Sequence, residues 1–147
     1  MLEKLRQAAF MVNDLKEAEG LYRKTLGMES CRSEELSNFG LVNSVLPAGN
    51  GTFVELLQPT SPDSAGARFL TRRGEAPYLL IFETREYTKL IDHLKANDVR
   101  ITGESDRAQT RSAFLHPSAT NGAFLEIVEV KDAVNPWPAA GPDWQKE

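Results

Sequence analysis

Two glutamates sit where carboxylates are costly. Glu55 and Glu126 each stand inside an apolar run that reads as a strand, Thr52-Phe53-Val54-Glu55-Leu56 and Ala123-Phe124-Leu125-Glu126-Ile127. A carboxylate buried there without a partner is strongly destabilising. Strand alternation allows both to face solvent instead. If they converge, their mutual repulsion raises at least one pKa and leaves an ionised base beside a protonated acid. Such a pair suits proton removal from the carbon α to a carbonyl, followed by reprotonation or elimination. The matched setting weakens the solvent reading, because Asn50–Leu56 returns as Asn121–Ile127 at an offset of 121 − 50 = 71 residues.

The flanks keep that offset approximately. Leu46-Pro47 precedes one copy as His116-Pro117 precedes the other, and Phe10 corresponds to Phe82. Two copies of this length are too few and too long for a solenoid, so the expected class is α+β with a duplicated module. A strand at 5–12 leads to a helix that Asp14 and Glu17 cap, with Leu15, Ala18, Leu21, Tyr22 and Leu26 at helical spacing and Gly27 as its stop. Strands at 28–35, 39–47 and 52–58 complete a β-α-β-β-β module over 5–60. Ser61-Pro62-Asp63-Ser64 reads as a helix start, with Pro62 at the first helical position, in a linker, 61–75, with Gly74 as its end. The second module, 76–131, has a strand at 78–82, a helix through Tyr87, Leu90, Ile91 and Leu94, and strands at 99–104, 111–115 and 122–130. A Pro- and Trp-rich tail, 132–147, follows the domain of 1–131. Its two tryptophans are costly to leave wet, so it is either disordered or docked, with a second subunit as one cover.

Composition narrows the classes. The chain has 147 residues, 41% of them apolar, and a net charge of -4. The basic doublets are Arg23-Lys24 and Arg72-Arg73 and no basic stripe joins them, which argues against nucleic acid as a partner. The single Cys31 excludes an intrachain disulfide framework and a multi-thiolate zinc site. No run approaches the roughly 18 apolar residues of a membrane span, and no apolar signal region follows Met1, so the expected location is cytoplasmic. His93 reads as a surface residue of the second helix. No Gly-rich phosphate loop or nucleophile elbow is present.

The segment Val54-Glu55-Leu56-Leu57-Gln58-Pro59-Thr60-Ser61-Pro62-Asp63-Ser64, then Arg68-Phe69-Leu70, Arg73-Gly74-Glu75 and Phe114-Leu115-His116-Pro117 with Asn121-Gly122, resembles the vicinal oxygen chelate superfamily. That superfamily includes glyoxalase I, bleomycin-resistance proteins, extradiol dioxygenases and methylmalonyl-CoA epimerase, and the resemblance is nearest to the epimerases. It implies a cupped, curved, antiparallel-rich sheet built from the two modules, with a divalent metal held by the first and last strand of each. Those ligand positions fall on Gln7, Glu55, Leu79 and Glu126, which are expected to surround one concave site. Leu79 cannot coordinate, and Gln7 offers a neutral amide oxygen that suits Mg or Mn better than Zn or Co. The expectation is therefore a degenerate site with no resident cofactor, a weakly bound Mg- or Mn-type ion being the remaining option. Asn43 falls near the place where epimerases put a catalytic acid.

Two functional readings stay open. In one, a divergent epimerase-like isomerase or lyase moves a proton on a small acyl thioester or carbonyl metabolite. Glu55 and Glu126 are then catalytic, and Gln7, Asn43, Tyr78, Leu79 and His116 bind substrate. In the other, a metal-free protein of the bleomycin-resistance kind sequesters a small molecule. A scaffold with a filled cavity is a weaker third. The superfamily and the tail both point to a homodimer.

Overall fold

A computed structural model of the protein describes residues 1–146. The elements, in order, are β1 (Leu2–Met11), α1 (Leu15–Leu26), β2 (Arg32–Leu36), β3 (Leu41–Gly49), β4 (Thr52–Pro59), α2 (Ala65–Arg73), β5 (Ala76–Thr84), α3 (Tyr87–Ala96), β6 (Ile101–Asp106), β7 (Thr110–Leu115) and β8 (Phe124–Val130). The order β-α-β-β-β therefore occurs twice, with α2 between the copies, as the repeat predicts. No helix among the described residues is long and apolar enough to cross a membrane.

The chain forms two compact units, Met1–Gln7 with Leu79–Pro138 and Ala8–Tyr78 with the segment from Ala139 onward. In the second of these, which carries most of the first module, the strand order is β2-β3-β4-β1. Asp14 caps α1 by accepting from the Glu17 N–H at 2.9 Å, and Gly27 ends it by donating to the Arg23 carbonyl. The apolar face of α1, Leu15 and Ala18, packs with Val12, Leu46 and Leu56 into one core. Phe53, Glu55 and Leu57 alternate with members of that cluster along β4 and are buried too. Between β3 and β4 the two-residue turn Asn50-Gly51 has φ of 52° and 66°, a pair of positive values that suits a tight hairpin and that Asn and Gly tolerate best. Helix α2 sits close to the sheet because Gly66 has no side chain. A Cβ there would lie 2.8 Å from Met11 Cε and 2.9 Å from Leu41 Cδ2.

In the other unit the order is β1-β5-β8-β7-β6. Strand β8 is parallel to β5 and antiparallel to β7. Helix α3 buries Tyr87, Leu90, Ile91 and Leu94 against Ala113, Leu115 and Ile127.

Three expectations change at the level of elements. The linker helix starts at Ala65 with Ser64 as its cap, not at Pro62, because Ser64 Oγ accepts from the Ala67 N–H and Ser61–Ser64 is used as a turn. The second strand begins at Arg32, not at residue 28, since Met28 is drawn into the α1 core. The tail is ordered on its own chain. Trp137 is 2% exposed, and the Trp144 ring meets Phe53 edge to face at 5.1 Å. The aromatic residues that hinted at a second subunit already have cover, so that hint lapses.

Candidate functional site

In the unit of Ala8–Tyr78, antiparallel pairing sets Val45 opposite Glu55 and Asn43 opposite Leu57, so Asn43 and Glu55 are diagonal neighbours. Their side chains meet. Asn43 Nδ2 donates to Glu55 Oε2 at 2.8 Å, in a buried contact, while Asn43 Oδ1 accepts from the Glu34 N–H at 3.0 Å. The Glu55 carboxylate, 7% exposed, is thus held by an amide that is itself anchored to β2. Tyr78 packs edge to face on Phe69 at 5.0 Å, and burial pushes its phenol above the usual range, with Arg68 partly opposing.

In the unit of Met1–Gln7 and Leu79–Pro138, Glu126 lies on β8 opposite Ile81 of β5 and Phe114 of β7. It is half-buried, and the Phe114 and Phe124 rings stack beside it at 5.4 Å. Leu79 is buried opposite Phe124. His116 accepts the Ser118 N–H at its Nδ1, 3.1 Å, and so caps the short 3-10 turn Pro117–Ala119. With Nδ1 used as an acceptor, a neutral His116 carries its proton on Nε2.

Gln7 has a partner that its local sequence does not suggest. The Trp137 indole Nε1–H donates to Gln7 Oε1 at 2.9 Å, and both side chains are almost fully buried. The Arg6 guanidinium lies over the Trp137 ring, 5.4 Å from its centroid, and pairs with Glu83. Glu83, Arg6, Trp137 and Gln7 thus form one linked group within this unit. No motif singles out Arg6, Glu83 or Trp137. The one sequence signal was that a tail tryptophan needs cover.

The metal implied by the resemblance fits these residues poorly. Leu79 is hydrocarbon, and Gln7 offers a single neutral oxygen, one of whose two lone pairs already accepts the indole proton. Among the described residues, no three His, Cys, Asp or Glu are placed to hold an ion.

The profile of the glyoxalase/bleomycin resistance protein/dioxygenase superfamily matches residues 6–114. An ethylmalonyl-CoA/methylmalonyl-CoA epimerase of Cereibacter sphaeroides is 29% identical over 135 residues, covering 88% of this chain and all of that protein. A solved methylmalonyl-CoA epimerase in complex with methylmalonyl-CoA and NH4+ superposes with a TM-score of 0.81 at 26% identity, covering 92% of this chain and 100% of the other. The methylmalonyl-CoA epimerase of Mycobacterium tuberculosis gives 0.79 at 25% identity, with 87% and 88% covered.

Proposed function

The chain belongs to the glyoxalase/bleomycin resistance protein/dioxygenase superfamily, and from that premise we propose that it moves a proton α to the carbonyl of a small acyl thioester or related carbonyl metabolite. The observation that carries this reading is Glu126. A carboxylate half-buried between Ile81 and Phe114, beside a stacked aromatic pair, is partly shielded from water yet open enough to meet a substrate proton. The epimerase relatives support the substrate class. Glu126 takes the α-proton, the C–H electron pair becomes the C=C bond of an enolate, and the carbonyl oxygen takes the negative charge. Return of the proton from the Glu126 carboxyl to the same face restores the carbonyl compound unchanged, and inversion needs a second acid that protonates the opposite face. No step is routed through a metal, because the ligand positions do not suit one. Glu55, already held by Asn43, is the second acid–base candidate.

The test is exchange of the α-proton of methylmalonyl-CoA and a panel of short and branched acyl-CoAs with D₂O, followed by proton NMR. Exchange that is lost in Glu126→Gln supports the proposal. A second reading, sequestration without chemistry, is favoured by Leu79 and by the Gln7–Trp137 bond, which leave ligand positions apolar or already occupied. It predicts saturable binding across the same panel with no exchange.

A further inference from the structure

We propose that the amide N–H groups of Gln7 donate to the carbonyl oxygen of the bound substrate, and that Trp137 is the positioning residue that turns them there. This rests on the proton-transfer reading, which needs a group to take up charge at the enolate oxygen. An indole N–H can only donate, so the atom of Gln7 that faces it at 2.9 Å must be the oxygen. The amide is planar, and fixing its oxygen fixes its nitrogen. Gln7 therefore presents two donors away from Trp137, and no described residue accepts from them. The side chain is 2% exposed. Gln7 Nε2 is not among the sealed, unpartnered side-chain atoms of the described residues, so these donors keep a narrow opening through which an acceptor can reach them. A ligand oxygen is such an acceptor.

The surroundings favour an anionic oxygen over a cation. The Arg6 guanidinium lies over the face of the Trp137 ring, and its charge is balanced by Glu83. This contact and the bond to Gln7 together hold the indole in place. An amide turned with its nitrogen outward repels a metal ion and attracts an enolate. One strand, β5, separates the strand of Gln7 from that of Glu126, a distance of about 10 Å for two strand spacings. Asn43 is less suited to the task, since its oxygen and one N–H are already used by Glu34 and Glu55.

The experiment compares wild type, Gln7→Leu and Trp137→Phe. Each is tested for α-proton exchange with methylmalonyl-CoA and, by calorimetry, for binding of propionyl-CoA and of the nitronate of 2-nitropropionyl-CoA, a planar anion shaped like the enolate. Gln7→Leu should lower the exchange rate about 10²-fold, in the range for loss of one oxyanion donor. Its KM should stay within about threefold, and nitronate affinity should fall far more than propionyl-CoA affinity. Trp137→Phe keeps the ring and loses the N–H, so it should fall between the two with an unchanged pH profile. Exchange at the wild-type rate in Gln7→Leu, with wild-type nitronate affinity, overturns the inference and leaves the proton-transfer reading standing. If the wild type exchanges nothing, that reading fails, and nitronate binding alone decides: equal affinity in wild type and Gln7→Leu overturns the inference, weaker binding by the variant supports it. Should either variant misfold, the side-chain ¹⁵N resonance of Gln7 in the wild type is followed instead, and no shift on saturation with the nitronate overturns the inference.

Discussion

The two modules place a glutamate at the same point of the same heptapeptide and then treat it differently. Glu55 is 7% exposed and receives a hydrogen bond from Asn43 across β3 and β4. Glu126 is half-buried with Ile81 and Phe114 as its cross-strand neighbours, and the residue diagonal to it on β7 is Ser112, where the first module has Asn43. A local motif thus fixes the strand and the outlook of the side chain, while the neighbouring strand decides its chemistry. The first module encloses its carboxylate against an amide. The second places its carboxylate beside two stacked rings, at partial exposure.

The sharpest way to break this comparison is activity. Glu126→Gln should lower α-proton exchange by about 10²–10⁴, whereas Glu55→Gln should cost less than about tenfold. Equal losses, measured by proton NMR in D₂O, would mean that the two carboxylates act as equals. Next comes the tail. Trp137→Ala removes a ring that is 2% exposed and should cost about 3–5 kcal/mol in urea unfolding. Trp144→Ala, which removes a half-buried ring and one edge-to-face contact, should cost about 0.5–1.5 kcal/mol. A reversal of that order would show that the tail is held by its end.

Asn43→Leu deprives Glu55 of a buried partner and should destabilise by about 1–3 kcal/mol, part of which Glu55→Met in the same chain should restore. Ser112→Ala on the matching diagonal of the second module should be near neutral, because the Ser112 group that Tyr87 uses is its backbone carbonyl. The smallest effect is in alkali. Burial first, then Glu104, pushes the Tyr87 phenol up to about 12, from an ordinary value of 10.0. Its folded pKa exceeds the unfolded one, so its contribution is complete below pH 10 and is lost as pH rises towards 12. Tyr22, in the first module's helix, is also raised by burial. Thermal melts between those pH values should fall with a gentler slope in Tyr87→Phe than in Tyr22→Phe.

What could be read from the sequence was local. Asp14 and Gly27 bound a helix because capping acts within one turn, and Asn50-Gly51 marks a hairpin because few residue pairs tolerate its dihedral angles. The doubled β-α-β-β-β order was legible from the repeat for the same reason. Ser61 and Ser64 are equally good caps on paper, and only the bond from Ala67 to Ser64 chooses between them. The ties that define the candidate site were out of reach. Asn43 meets Glu55 only once the β3–β4 register is fixed, and Gln7 meets Trp137 across 130 residues of sequence that carry no shared pattern. The Arg6–Glu83 pair, 77 residues apart, was hidden in the same way.

That last separation has a consequence in time. The unit that holds Gln7 is made from Met1–Gln7 and from Leu79–Pro138, and it is joined by bonds from Thr84 to Met1, Arg6 to Glu83 and Trp137 to Gln7. A chain emerging from the ribosome can build the β3–β4 hairpin early, but Arg6 and Gln7 must wait for side-chain partners made 77 and 130 residues later. Contacts this distant in sequence slow folding and leave a strand edge open meanwhile. The indole that seats on Gln7 arrives 130 residues after it, and its docking should be the slow phase seen by tryptophan fluorescence on refolding.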